Sequence, residues 1–238
     1  MNISVKDIEK SYRNQLFSRK SILKGISFDA TEGECIGILG TNGCGKTTLL
    51  SVLAGINEAD NGSFVINTTD AYGREQSVDV LKDTGCISNI IGYVPQGNPL
   101  MEELSVRDNL KLWYCQSELK IDDELKNGVL KLLGVNEFVD MRVSKISGGM
   151  KKRLSIGCAV ANQPRILILD EPGASLDVVC RDKIDKYLTH FKENGGIIII
   201  TTHESREIEM CDRTFVMKDG ILEAYHYENA EKLAKDLA

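Results

Sequence analysis

With 238 residues the chain is long enough to bury a sizeable core, and a large domain carrying an inserted lobe is the expected arrangement. A hydrophobic share of 42% and a charged share of 27% are ordinary for a globular protein, and 29 basic against 35 acidic side chains leave a net charge of -6 that argues against a nucleic-acid partner. The N-terminus, MNISVKDIEKSY, has no apolar leader and the longest purely aliphatic run is Ile197 to Ile200, so no segment is expected to cross a bilayer.

Seven cysteines (Cys35, Cys44, Cys86, Cys115, Cys158, Cys180, Cys211) are scattered through apolar segments without CxxC spacing, and they read as reduced thiols of a cytosolic protein. In chain order, the basic cluster from Arg13 to Lys24 has the look of a solvated hairpin rather than a phosphate-tracking stripe. Next, Cys35 to Leu39 is a short apolar run with the composition of a buried strand. It enters Gly40-Thr41-Asn42-Gly43-Cys44-Gly45-Lys46-Thr47, a complete phosphate-binding loop. Its glycines permit backbone conformations that turn successive amides inward as a nest for phosphate. Lys46 adds a mobile point charge, and Thr47 offers a hydroxyl to Mg2+. The helix begun by Thr47 and Thr48 directs its positive end at the same place and is expected to stop near Gly55. This pattern is that of a nucleoside triphosphate site.

From Asn67 to Asn89 the chain is polar without a clear period, as in loops joining short strands. Ile90 to Val94 is a strand stopped by Pro95, and the segment to Gly134 is mostly helical, with Leu125, Val129, Leu132 and Leu133 at helical spacing. RILIL (Arg165 to Leu169) and GIIIITT (Gly196 to Thr202) are strands buried on both faces of a parallel sheet, separated by a crossover helix marked by Ile184, Leu188 and Phe191. The first ends in Asp170-Glu171-Pro172. Two carboxylates thus emerge at the edge where doubly wound folds bind ligands, one suited to metal and its neighbour to water. A hairpin across Lys218-Asp219-Gly220 and a terminal helix through Ala230, Leu233, Ala234 and Leu237 complete the chain.

Ile146-Ser147-Gly148-Gly149-Met150-Lys151-Lys152-Arg153, a short distance before the Asp170 strand, matches the LSGGQ signature; the chain resembles, nearly end to end, the nucleotide-binding subunit of ATP-binding cassette (ABC) transporters. Read physically, Ser147, Gly148 and Gly149 open a helix and offer a hydroxyl, bare amides and a dipole to an anion. The resemblance implies an α/β fold: a P-loop NTPase core of mostly parallel sheet flanked by helices (1–96 and 161–238), with an N-terminal antiparallel β subdomain and an α-helical lobe at about 97–160. It implies ATP and Mg2+, with Tyr12 stacking on adenine, Gln96 sensing the metal and the attacking water, Thr47 and Asp170 holding the metal, and Glu171 as the base. His203 falls at the switch histidine beside the terminal phosphate, and Asp177 in the loop joining two sites across a dimer.

Further implications are a head-to-tail dimer with a second ATP-binding subunit, identical or not, a transmembrane permease as partner, and a cytoplasmic position on the inner face of the membrane. The brief tail resembles small exporter-type subunits. Ile146 and Met150 replace the commonest Leu and Gln with no expected loss, whereas Gly173, where threonine is usual, is expected to loosen the loop to Asp177. Two other readings, a soluble ABC ATPase acting on proteins and a non-hydrolysing sensor, fit less well. The chain lacks a coiled-coil insertion and a second cassette, and it keeps Glu171 and His203.

Overall fold

The computed structural model describes residues 1–13, 19–69, 73–83, 85, 87–174 and 176–237; Cys86, Ser175 and the tip of the basic hairpin lie outside them. The chain runs β1 (Asn2–Arg13), β2 (Arg19–Thr31), β3 (Cys35–Leu39), α1 (Lys46–Leu53), β4 (Asn61–Thr69), β5 (Glu75–Asp79), α2 (Ile87–Ile90) and β6 (Ile91–Val94). There follow α3 (Val106–Trp113), α4 (Ile121–Asn127), α5 (Val129–Leu132), α6 (Gly148–Ala159), β7 (Ile166–Asp170), α7 (Val178–Glu193) and β8 (Ile197–Thr201). The last elements are α8 (Ser205–Met210), β9 (Arg213–Lys218), β10 (Ile221–Tyr225) and α9 (Ala230–Leu237).

Two sheets result, a four-stranded one in the order β2-β1-β4-β5 and a six-stranded one in the order β10-β9-β3-β8-β7-β6. β3, β7 and β8 are buried at every position, and their pairing is parallel, because an aliphatic run with no polar face is stable only when both faces are covered. β1 and β2 alternate instead, burying Ile3, Val5, Ile8, Leu23, Ile26 and Phe28 on one face. That face and α1 share one apolar core, which also includes Ile36, Ile38, Ile166 and Ile199. The opposite sheet face packs Leu167, Leu169, Ile198 and Ile200 with Val106, Leu110, Leu130, Leu154 and Ile184, so α3 to α7 have no core separate from the sheet.

The hairpin of β9 and β10 turns through Asp219 and Gly220, both at positive φ. A Cβ on Gly220 would lie 2.3 Å from the Ile22 carbonyl oxygen, and the Gly220 carbonyl accepts from Lys24 N–H, which ties the two sheets together. The structure differs from the sequence reading in one helix. The helix through Leu125 and Leu133 is interrupted at Gly128, which is extended (φ -101) so that the Val129 amide donates to Glu124 Oε2, and Leu130, not Val129 or Leu132, is fully buried. After Asn67 the expected short strands are present: the end of β4 and β5 pair in register and extend the antiparallel sheet.

Candidate functional site at the edge of the parallel sheet

β3 delivers the chain into the phosphate loop at the centre of the six-stranded sheet, between β9 and β8. Gly40, Gly43 and Gly45 all adopt positive φ, and a Cβ on Gly40 would meet the Met217 carbonyl oxygen at 2.5 Å, so the loop needs glycine there for conformation and for space. Lys46 is not the mobile charge expected. It is buried, and its ammonium donates to the Gly40 carbonyl at 2.7 Å and the Thr41 carbonyl at 3.2 Å across the loop. An incoming phosphate has to outbid two neutral carbonyls for that charge, which a charge-assisted bond does.

A cleft of about 440 Å³ opens over this loop, lined by Tyr12, Ile22, Asn42, Gly43, Gly45, Lys46, Thr47, Thr48, Gln96 and Glu171. Tyr12 stands half in solvent at its rim, with Lys10 Nζ 5.5 Å from its ring centroid. At the inner end Thr47 Oγ1 donates to Asp170 Oδ2 at 2.7 Å, while Thr201 Oγ1 donates to Asp170 Oδ1 at 2.6 Å, so the buried carboxylate is aimed from both sides. This hydroxyl and carboxylate are oxygen donors of the kind Mg2+ takes alongside phosphate oxygens and water. Among the described residues no group of three or more His, Cys, Asp or Glu could hold a metal by itself.

Glu171 follows at φ 48, a left-handed conformation uncommon for a side chain with a Cβ, held by its own N–H donating to the Thr201 carbonyl at 3.0 Å. The turn aims its carboxylate back over the cleft. Gln96 Nε2 donates to one oxygen at 3.0 Å, and His203 Nε2 lies 3.4 Å from the other. Gln96, Glu171 and His203, remote in sequence, therefore meet at one point.

The signature lies elsewhere. Ser147 caps α6, accepting from Met150 N–H at 3.2 Å, and Ser147 and Gly148 are exposed. Gly149 packs against α7, where a Cβ would lie 2.6 Å from Cys180 Sγ. Asp177 caps α7 beside it, accepting from Cys180 N–H, a bond that holds its carboxyl below the usual range. None of Ser147, Gly148, Gly149 and Asp177 lines the phosphate cleft.

Three residues that sequence reasoning passed over support these loops. Lys152, buried on α6, donates to the carbonyls of Pro95 and Gln96 at 3.0 and 3.1 Å, and burial pulls its pKa down. Arg181 donates to the carbonyls of Gly173 and Leu176 and pairs with Glu204 at 3.4 Å. Glu207, buried on α8, accepts from the Thr202 hydroxyl, and burial raises its carboxyl to about 7. Its Oε1 fills the space a side chain at 173 would need, 2.3 Å from where that Cβ would stand. Gly173 makes room for Glu207, and Arg181 donates to the backbone at Gly173 and Leu176.

The sequence description of ABC transporters matches residues 23–174. The chain belongs to the ABC transporter family. It is 32% identical over 221 residues to the linearmycin resistance ATP-binding protein LnrL of Bacillus subtilis, covering 92% of this chain and 67% of that protein. It is 33% identical over 223 residues to the Nod factor export ATP-binding protein I of Bradyrhizobium diazoefficiens, covering 92% and 70%. Against the putative hemin import ATP-binding protein HrtA of Staphylococcus saprophyticus the identity is 32%, covering 93% and 99%. The chain thus spans about two thirds of the length of the first two relatives and nearly all of the third.

Among solved structures, the dimeric bacterial ABC transporter cassette MJ0796 superposes with a TM-score of 0.77 at 25% identity, covering 96% of this chain and 98% of that one. The present chain is therefore an ATPase cassette that binds ATP with Mg2+, hydrolyses it, and powers transport through ATP-dependent dimerisation. Cassettes of the family work with transmembrane partners, and among the described residues no helix is long and apolar enough to cross a membrane.

Proposed function

We propose that Glu171 is the general base of ATP hydrolysis, and the observation that carries this is its carboxylate fixed between Gln96 and His203 at the rim of the phosphate cleft. Lys46 and the inward amides of the Gly40 to Thr48 loop bind phosphate, and Tyr12 stacks on the adenine. Thr47, Asp170 and Gln96 would hold Mg2+, which would supply neutralisation of charge on the phosphates. Glu171 accepts the proton of the attacking water, Gln96 orients that water, and His203 donates to the terminal phosphate. Ser147, Gly148, Gly149 and Asp177 serve the site of the second subunit, for which the exposure of Ser147, Gly148 and Asp177 at two adjoining helix N-termini suits them. The test is Glu171→Gln, which should keep ATP binding and lose most turnover; near-normal hydrolysis would remove the base assignment.

The division into a core (1–96 and 161–238) and a helical lobe (about 97–160) is part of the same reading. The partner is a separate transmembrane permease. A second cleft of about 720 Å³ supports this, lined by Ile56, Ile87, Pro95, Pro99, Trp113 and neighbours and starting one residue before Gln96. Ile56 and Trp113 are exposed at its edge. An apolar helix of the permease seated there would place the cassette on the inner face of the membrane. Outward transport is the direction inferred, on the name of the Nod factor export relative and against the import name of the Staphylococcus saprophyticus relative. Affinity capture of the tagged chain from detergent-solubilised host membranes tests the partner: a polytopic protein in near-equal amount is expected, and soluble proteins alone would favour a soluble ABC ATPase.

A further inference from the structure

Cys35 begins β3, the strand that ends in the phosphate loop, and Cys211 follows α8, the helix after His203; they are 176 positions apart in sequence, and their sulfur atoms are 3.6 Å apart. The contact is held by a rigid frame. Cys35 N–H donates to Asp212 Oδ2 at 2.7 Å, Asp212 N–H returns a bond to the Cys35 carbonyl at 2.9 Å, and Lys192 Nζ pairs with Asp212 at 2.7 Å while donating to the Met210 carbonyl. The two thiols form a relay, with Cys35 S–H donating to Cys211 Sγ and Cys211 S–H donating to the Glu207 carbonyl at 3.1 Å. Cys35 is fully buried, and its bond to Cys211 together with burial pushes its thiol well up, so it keeps its proton. Cys211 is half-buried and borders a cleft of about 680 Å³ between α8 and the β9–β10 hairpin, wide enough for a small oxidant.

We propose that Cys35 and Cys211 are a redox-modification site, closed to a disulfide by a peroxide-class oxidant, and that closure slows ATP hydrolysis. Cys211, as its thiolate, attacks one oxygen of hydrogen peroxide; the O–O bond breaks, hydroxide leaves and takes up a proton as water, and Cys211 becomes a sulfenic acid. Cys35 sulfur then attacks Cys211 Sγ, its S–H proton passes to the departing hydroxyl, and a second water leaves as the S–S bond forms. Two thiols lose two electrons in all, and one peroxide is reduced to two waters. Because a disulfide needs sulfurs about 2.0 Å apart, the end of α8 has to draw toward β3, and the Cys211 donor to the Glu207 carbonyl is lost. Glu207 is bonded to Thr202, next to His203, so the strain is delivered to the loop at the catalytic rim. The consequence for turnover rests on the roles proposed above; the chemistry of the pair does not.

The experiment exposes the reduced full chain to hydrogen peroxide, quenches in acid, alkylates the remaining thiols in denaturant, and maps peptides without reduction. A cross-linked pair of peptides carrying Cys35 and Cys211 is expected, with dithiothreitol reversing it. ATPase activity should fall by about fivefold, the low end of coupling between two sites, and return with the reductant. In Cys35→Ala and Cys211→Ser the cross-link and the recoverable loss should both vanish. Cys35 remaining open to alkylation after oxidation would overturn the site itself. A cross-link with unchanged turnover, or an equal recoverable loss in Cys35→Ala, would overturn the regulation and assign any loss to Cys44 in the phosphate loop. The Glu171→Gln result cannot imitate either outcome, since it leaves both thiols in place.

Discussion

The phosphate loop and the signature turn are built alike, each a glycine-rich segment opening a helix, yet the fold treats them differently. At the first, Lys46 is buried, Thr47 is bonded to Asp170, and Gln96 and Glu171 close over the cleft. At the second, Ser147 and Gly148 face solvent, and nothing lies within 4 Å of where a Gly148 side chain would begin. One helix N-terminus is completed by its own chain and the other presents donors to something outside it. Identical backbone chemistry gives a closed cleft or an open turn, which the reading proposed above assigns to the second subunit's site, according to what the tertiary fold places opposite it.

Glu171→Gln, which keeps the size and loses the base, should produce the largest break in this comparison, with turnover down about 10²–10³-fold and ATP binding intact, measured by steady-state hydrolysis and nucleotide titration. Gly148→Asp should leave ATP binding by the separate chain unchanged, because the position is open, and reduce hydrolysis by the dimer about 10–10²-fold through repulsion of phosphate. Mixing the two variants sharpens the point. A dimer holding one of each has one intact site made from Glu171 of one chain and the signature of the other, so hydrolysis should reappear; no recovery would mean that each chain uses its own signature.

Smaller effects separate the supports of the two regions. Glu207 has a folded pKa of about 7 against an ordinary 4.5, so across that window the folded chain keeps a proton that the unfolded chain has released. Stability therefore falls as pH rises through the window, and the full deficit, about 3 kcal/mol, stands above it. Glu207→Gln cannot titrate, and its unfolding free energy relative to the parent should rise by about that amount between pH 4.5 and 8; a flat difference would refute the assignment. Lys152→Met leaves the Pro95 and Gln96 carbonyls without their donor and should cost about 2 kcal/mol of stability, with a drop in kcat larger than any change in KM for ATP.

Much of the site was legible because its residues occur as contiguous motifs. The phosphate loop, Asp170-Glu171 and Thr202-His203 each lie at the end of a strand too apolar to be anything but central, so their arrival at one sheet edge follows from parallel pairing. What stayed hidden was carried by single residues. Gly128 looks like any helical glycine until Glu124 is seen to need the Val129 amide. Nothing in the sequence marks Lys152 or Glu207 as buried, and only the loops packed over them show that they are. The pattern after Asn67 pointed to short strands without placing them; β5 is an edge strand, whose exposed face need not be apolar.

The sequence by itself determined the chemistry of this cassette and the order of its strands, since glycines at loop positions, hydroxyl and carboxylate types, and aliphatic runs are properties of local segments. The tertiary structure alone decided which of those groups meet. It set Glu171 between Gln96 and His203, put Glu207 in the space left by Gly173, and brought Cys35 against Cys211. These are contacts between segments remote along the chain, fixed by the packing of α6, α7 and α8 on the sheet, and no local pattern encodes the distance between them.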